Sequence, residues 1–370
     1  MLAVQRDISL KVFYALLPDE QQQGAGFGVP FTWDIPMLEG YRWEALPNSA
    51  RSPSLSGFFG SNTPDIYKIF AKEKPDVVII TGWQSLPLLQ ALWACMRLRI
   101  PRIIRGESNA LRRRPGWIRL IHRLFLSRFD AFLAIGKANR EFYRNYGIPQ
   151  GKIFTCNYFV DNRWFQERFR GIAGERDIIR SGWGIRKDDV CFLYAGKLIP
   201  KKRIFDLLQA LKKACLVREN ICVLVVGTGD LIETARRFVS EHRLPVTFAG
   251  FLNQTEIVKA YAAADCLALP SDFGETWGLV VNEAMCCGLP AIVSDRVGCG
   301  PDLVVNGVTG FVFPFGDPDA LAGRLLDMAS DLDKRLQMGK NAVEKVRGYS
   351  VEKALESTLN AINFVVRQKA

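Results

Sequence analysis

Apolar positions fall into two blocks of short continuous runs, each bounded by turn residues and followed by a helical repeat. In the first block the runs DISLKVFYAL, PDVVII, RIIRG and DAFLAIG are brief and β-branched, and patterns of helical period such as LPLLQALWACMRL separate the last three. That alternation predicts parallel strands joined by crossover helices. From Asp188 it restarts with DDVCFLYAG, ICVLVVGTG, VTFAG, DCLALPS and LPAIVSD, a second sheet of the same kind. The charged, weakly periodic stretch 163–187 between the blocks is expected to hold the junction and a helix. A last helical pattern, SVEKALESTLNAINFVVR, is expected to pack across both domains. The reading is α/β, with domains at 1–170 and 171–349 and a C-terminal helix at 350–370. The 370 residues suit two cores, because single cores stop growing near roughly 250–300 residues. Two such domains, facing one another, form a cleft at the carboxyl ends of their strands.

Composition narrows the class. With 48% hydrophobic and 24% charged residues, and no apolar run near the ~20 needed to cross a bilayer, a soluble globular protein is expected. The N-terminus lacks the basic, apolar and small-residue order of a secretion signal, so the expected location is the cytoplasm. Nine cysteines include no C-x-x-C pair and read as reduced core residues. His122 and His242 have no partner at ligand spacing, so no metal site is expected. Charge is local: residues 1–170 hold 24 basic against 14 acidic side chains, 171–370 hold 25 against 24, and 97–144 alone hold 13 against 3. Within that patch, residues 110–130 set Trp117, Leu120, Ile121, Leu124, Phe125 and Leu126 among Arg112, Arg113, Arg114, Arg119, Arg123 and Arg128 at helical spacing. Two readings stand: an element lying on an anionic membrane surface, or a crossover helix whose apolar stripe is core. Nucleic acid is not an expected partner, since no recognised binding module accompanies the patch.

The chemistry concentrates in LALPSDFGETWGLVVNEAMCCGLPAIVSD, residues 267–295. The pattern predicts a strand to Leu269, a small polar loop, and a helix from about Thr276 to Cys287, with Glu275 at its start. On that helix Glu283 stands about 12 Å from Glu275 along the axis, too far for both to act on one bond. The N–H groups near Thr276 to Leu279 would receive an anion such as a diphosphate. A helix-start acid and a surface acid would explain the same two residues. The loop GKLIPKKR adds Lys197, Lys201, Lys202 and Arg203 after the first strand of the same sheet, and GTGD adds a tight turn at Gly227.

Taken as a set, ETWGLVVNEA, GKLIPKKR, GTGD, FAGFLNQTEIVKAYAAADCLALPS and CGLPAIVSDRVGCGPDLVVNGVTGFVFP resemble the retaining GT-B glycosyltransferases of family 4 across residues 188–325. The N-terminal half resembles a bacterial branch more loosely, through FGVPFTWDIPMLEGY, RGES, FLAIGKANREFY and KIFTCNYFVDN. The resemblance implies that Lys197 and Lys202 hold the diphosphate of a UDP- or GDP-linked sugar and that Glu283 binds the ribose. It places Glu275 by the transferred sugar, Phe273 and Gly274 at its hydroxyls, and the Gly278 and Leu279 amides at the phosphate. A retained anomer, no metal cofactor, and a glycan, lipid-linked or small-molecule acceptor in polysaccharide or glycolipid assembly are implied.

Two departures qualify the resemblance. Many relatives carry a histidine after an N-terminal strand, where RIIRGESN offers Arg105 and Glu107. The chain also opens at what looks like the family's second strand, so the N-terminal sheet is expected to lack its first strand and the start is expected to be truncated or misassigned. A sugar-nucleotide-binding protein with impaired catalysis is therefore a competing reading. A nicotinamide-dependent oxidoreductase is weaker, because GTGD lacks the full G-x-G-x-x-G.

Overall fold

Strands form where the β-branched runs lie. The computed structural model describes residues 1–112 and 114–368 and divides into two compact units. The first comprises Met1–Gln23, Pro36–Tyr158 and the C-terminal helix, and the second Gly24–Ile35 with Phe159–Ser350.

In the first unit the order is β1 (Lys11–Tyr14), α1 (Glu20–Gln23), β2 (Arg42–Ala45), α2 (Ile66–Glu73), β3 (Val78–Ile80) and α3 (Leu86–Leu98). It continues through β4 (Arg102–Ile104), α4 (Gly116–Leu126), β5 (Ala131–Ala134), α5 (Lys137–Asn145) and β6 (Ile153–Thr155). Among the described residues β3, β4, β5 and β6 make a parallel sheet in sequence order, and β1 and β2 make a separate parallel pair. All four residues of β5 are buried, as expected for a parallel strand covered on both faces. Ile104, Phe132, Phe142 and Tyr143 belong to its core.

The second unit runs α6 (Asn162–Ile172), α7 (Arg176–Gly182), β7 (Val190–Ala195), α8 (Ile204–Cys215), β8 (Ile221–Val226), α9 (Ile232–Glu241), β9 (Val246–Gly250) and α10 (Ile257–Ala263). Then follow β10 (Cys266–Leu269), α11 (Leu279–Cys286), β11 (Ala291–Ser294), α12 (Gly300–Leu303), β12 (Gly310–Phe313), α13 (Pro318–Ser330) and α14 (Leu332–Val346). Its sheet is parallel in the order β12-β11-β10-β7-β8-β9. Strand order therefore reverses between β7 and β10.

The stretch 163–187 folds into α6 and α7 on the second unit, and the division between units falls at Tyr158 and Phe159. The last helix, α15 (Val351–Arg367), belongs to the first unit, packs on β5 and β6, and buries Ala361, Ile362 and Val365. The nine cysteines are free thiols, and all but Cys215 are buried. Among the described residues no helix is long and apolar enough to cross a membrane.

Candidate functional site

An open parallel sheet leaves a crevice beyond the carboxyl ends of the strands where its order reverses. In the second unit those are the ends of β7 and β10, and each feeds one half of the predicted chemistry into that crevice. After β7 the chain passes Gly196 and Lys197 to a single 3₁₀ turn, Pro200–Lys202. After β10 it passes through Ser271 to Glu275. The two loops are joined: Lys202 Nζ forms an ion pair with Glu275 Oε2, both side chains being about 15% exposed, and Asp272 N donates to Lys201 O at 2.9 Å. Ser271 Oγ donates to the same Glu275 oxygen at 3.3 Å. At this burial a pair is less screened than a surface one, so its separation or retention matters to any anion entering the crevice.

Gly227, at the end of β8, shows why a glycine pair closes the neighbouring strand. Its φ is +118°, and a Cβ there would lie 2.1 Å from Gly196 O. Its N–H donates to Gly250 O at 2.7 Å. Gly227 thus lets the β7 loop approach the β8 loop, a packing role with a backbone cause.

The helix carrying Glu283 differs from expectation. It spans Leu279–Cys286, and Gly278 is its N-cap with φ +98°. The expected start at Thr276 fails because Gly278 turns left-handed, where a Cβ would come within 3.0 Å of Leu269 Cδ2. Glu275 consequently sits in the loop, not at a helix start, and the 12 Å axial spacing to Glu283 does not apply. The helix N–H groups without an intrahelical partner begin at Leu279 and Val280, so the anion-receiving end moves one turn along the chain. Trp277 fixes the loop, donating from Nε1 to Asn282 Oδ1 at 2.8 Å with both side chains buried. Phe273 is 40% exposed, and Gly274 N donates to Asp272 Oδ1 at 2.6 Å.

Glu283 is neither a surface acid nor solvated freely. Tyr261 Oη donates to its Oε2 at 2.5 Å. Burial pushes the carboxyl above its ordinary value, opposed by hydrogen bonds from Tyr261 and the Gln254 side chain. Beneath it, α6 supplies Phe165, whose ring lies 6.3 Å from that of Tyr261. Tyr261 and Gln254 escape a reading of the sequence because FLNQTEIVKAYAAAD shows only a turn and a buried helix.

The other element that the sequence conceals is the segment Gly24–Ile35, which belongs to the second unit. Lys197 Nζ donates to Ala25 O at 2.5 Å and lies over the Phe27 ring at 4.8 Å. Phe27 and Phe31 pack on Phe251, and Asn253 Nδ2 donates to Thr32 O at 2.7 Å. Burial, with Lys201 and Lys202 adding to it, pushes the Lys197 ammonium below the ordinary lysine value. The aromatic density of FGVPFTW is a signal, but without strand alternation it assigns the segment to no element. Arg203, counted with the lysines, instead pairs with Asp206 at 2.7 Å and serves the start of α8.

Arg105 and Glu107 follow β4 in the first unit. The Arg105 guanidinium lies 4.5 Å from the Tyr158 ring centre, and Tyr158 Oη donates to Glu107 Oε1 at 2.6 Å. Burial first, then Glu107, push the Tyr158 phenol up to about 12. The three side chains form one cluster; Tyr158 lies in KIFTCNYFVDN, a stretch that enters the resemblance without a role for this residue.

The fold is shared with solved glycosyltransferases. A glycosyltransferase of Rickettsia africae superposes with TM-score 0.70 at 16% identity, covering 88% of this chain and 85% of that one. Anabaena HepE, solved with UDP and glucose, gives TM-score 0.67 at 18% identity, covering 87% and 86%. The class is therefore that of GT-B proteins. Residues 175–345 match the family of glycosyl transferases group 1, and residues 32–163 match Glycosyltransferase Family 4. The chain belongs to the group 1 glycosyltransferases. It is 30% identical over 227 residues to the D-inositol 3-phosphate glycosyltransferase of Kribbella flavida, covering 58% of this chain and 52% of the relative. It is 28% identical over 305 residues to the sulfoquinovosyl transferase of Arabidopsis thaliana, covering 78% and 56%. The chain thus spans about half the length of the curated relatives it matches.

Proposed function

We propose that this chain transfers a sugar, with retention of anomeric configuration, from a UDP- or GDP-linked donor to a glycan, lipid-linked or small-molecule acceptor. The observation that carries the reading is the Lys202–Glu275 pair across the strand-order reversal of the second unit, with Glu283 held by Tyr261 in the same unit. A donor diphosphate would draw Lys202 from Glu275 and Lys197 from Ala25 O, placing two cations on the oxygens that gain charge as the sugar departs. The Leu279 and Val280 amides add donors from the helix N-terminus. Such preorganised groups are often the largest catalytic contribution. Glu275, released from Lys202, then faces the oxocarbenium-like sugar, and Glu283 accepts from ribose hydroxyls.

Because lysines and amides supply the positive charge, no metal is needed in this scheme, and turnover is expected to survive chelation by EDTA. On the acceptor side Glu107, ordered by Tyr158, is the proposed proton acceptor, with the departing phosphate as the competing one. UDP in the HepE structure and the group 1 family match support a nucleotide-sugar donor. The proposed location is the cytoplasm, at an anionic membrane surface through residues 110–130. A thermal-shift panel of nucleotide sugars, followed by product analysis for the best binder, tests the assignment. Stabilisation by one UDP- or GDP-sugar and formation of a glycoside are expected. Stabilisation by NAD and by no nucleotide sugar would overturn it, and donor binding without turnover would favour the binding-protein reading.

A further inference from the structure

Helix α4 of the first unit buries Leu126 and packs His122 among the Trp83, Phe142 and Tyr146 rings, as a crossover helix does, and Arg113 of the same basic stretch lies outside the described residues. The buried groups that the donor scheme leaves unused lie in the second unit, beside Glu275.

Glu275 has both of its backbone groups committed. Its N–H donates to Asp272 O at 2.9 Å, and its carbonyl accepts from Gly298 N at 3.0 Å. Two residues on, Trp277 O accepts from Cys299 N at 2.9 Å. The segment after β11 therefore lies along the loop after β10 as a brace, and it begins where Ser294 Oγ donates to Ser271 O at 2.5 Å, both residues being fully buried. Only glycine allows this approach at position 298. A Cβ there would stand 1.8 Å from Thr276 O and 2.4 Å from Thr276 C, and no side-chain rotation relieves a clash between a Cβ and the main chain.

The brace is itself clamped. Tyr349 donates through Oη to Asp302 Oδ1 at 3.2 Å and to Asp302 O at 3.3 Å, on α12, which follows Cys299. Its ring meets that of Trp277 at 6.1 Å. One side chain thus touches both partners of the pairing, the brace through its hydroxyl and the Glu275 loop through its ring. Asp302 is 2% exposed, and burial first, then Asp302, push the Tyr349 phenol above its ordinary value, so that it stays a donor at neutral pH.

We propose that Gly298 and Tyr349 are positioning residues for sugar transfer: they fix the backbone of Glu275, so that when Lys202 turns to the diphosphate only the Glu275 side chain moves and its carboxylate reaches one place beside the sugar. The inference rests on the glycosyl-transfer reading of Glu275 given above. Fixing the main chain preorganises the carboxylate, and a misplacement of about 1 Å costs on the order of 100-fold in rate. Lys197, Lys202 and Glu283, proposed to hold the nucleotide, stand on the loop after β7 and on α11. The brace therefore acts on rate and leaves nucleotide binding alone.

Steady-state kinetics of Gly298→Ala and Tyr349→Phe test this, with the donor selected by thermal shift and rates normalised to the UDP-binding stoichiometry found by calorimetry. The normalised kcat is expected to fall on the order of 100-fold in Gly298→Ala and roughly fivefold in Tyr349→Phe, the equivalent of one hydrogen bond. Donor KM and UDP affinity are expected to hold. A merely structural role would lower stoichiometry and apparent kcat together and leave the normalised rate as in the parent chain; that result, or an unchanged kcat in both variants, would overturn the proposal. Tyr349→Phe keeps the ring and decides the matter where Gly298→Ala does not fold. Amide hydrogen exchange of the 294–303 peptide reads the brace without turnover: faster exchange in Tyr349→Phe is expected, and equal exchange would overturn the clamp. No transfer by the parent chain from any nucleotide sugar would instead overturn the glycosyl-transfer reading, and the exchange would then decide whether Tyr349 holds the brace.

Discussion

Lys202 and Glu275 tie the functional reading to two side chains in a single ion pair. If Lys202 is a phosphate clamp, Lys202→Ala should weaken nucleotide binding by more than the 0 to ~1 kcal/mol typical of an exposed charge; isothermal calorimetry with UDP and GDP checks this, and unchanged affinity would end the assignment. Glu283 makes the opposite kind of prediction, because its folded pKa lies above the ordinary carboxylate value. Ionisation is then disfavoured in the fold: the favourable contribution exists while the carboxyl is protonated and is lost as pH rises through the folded value. Glu283→Gln should therefore raise the melting temperature near neutral pH, with the difference shrinking in acid, while nucleotide affinity falls. Tyr261→Phe removes a donor from the same buried oxygen and should cost about 1–3 kcal/mol of stability at neutral pH in denaturant melts. For Lys197 the lowered pKa implies that nucleotide affinity drops at a less alkaline pH than an ordinary lysine would give. Lys197→Arg should move that alkaline limb to higher pH in a calorimetric series.

Elements built on continuous apolar runs are legible in the sequence. Strands β7, β8, β10 and β11 coincide with VCFLYA, ICVLVV, CLAL and AIVS, and α3 with LPLLQALWACMRL. Strands β2 and β6 are not, because RWEA is charged and largely exposed and IFT sets only two apolar residues between Lys152 and Thr155. The start of α11 escapes a local reading because Thr276, Trp277 and Gly278 fit a helical pattern, and the left-handed turn at Gly278 depends on contacts with Leu269 that no local pattern carries. The strap Gly24–Ile35 is hidden for a similar reason, since its partners Phe251, Asn253 and Thr255 lie more than two hundred residues away. Gly227 tests loop packing: with φ +118° and Gly196 O only 2.1 Å from where an alanine Cβ would stand, Gly227→Ala should destabilise by about 2 kcal/mol or more. A melt within experimental error of the parent chain would show that the loops can part.

At the scale of the molecule, sequence order and structural unit do not coincide. The segment Gly24–Ile35 joins the second unit, and α15 joins the first. Helix α15 covers β5 and β6 with Ala361, Ile362 and Val365, and Phe364 meets Phe154 at 5.4 Å. Ile362→Ala should therefore cost about 2–5 kcal/mol in the unfolding of the first unit, with UDP affinity unchanged because the residues proposed to hold the donor lie in the second. The charge is divided in the same sense, with nearly all the excess before residue 171. The central claim is that the Lys202–Glu275 pocket transfers a sugar with retention. Proton NMR of the product formed from the donor that the thermal-shift panel selects tests it most directly. The expected product has the anomeric configuration of the donor, and an inverted anomer would contradict the account.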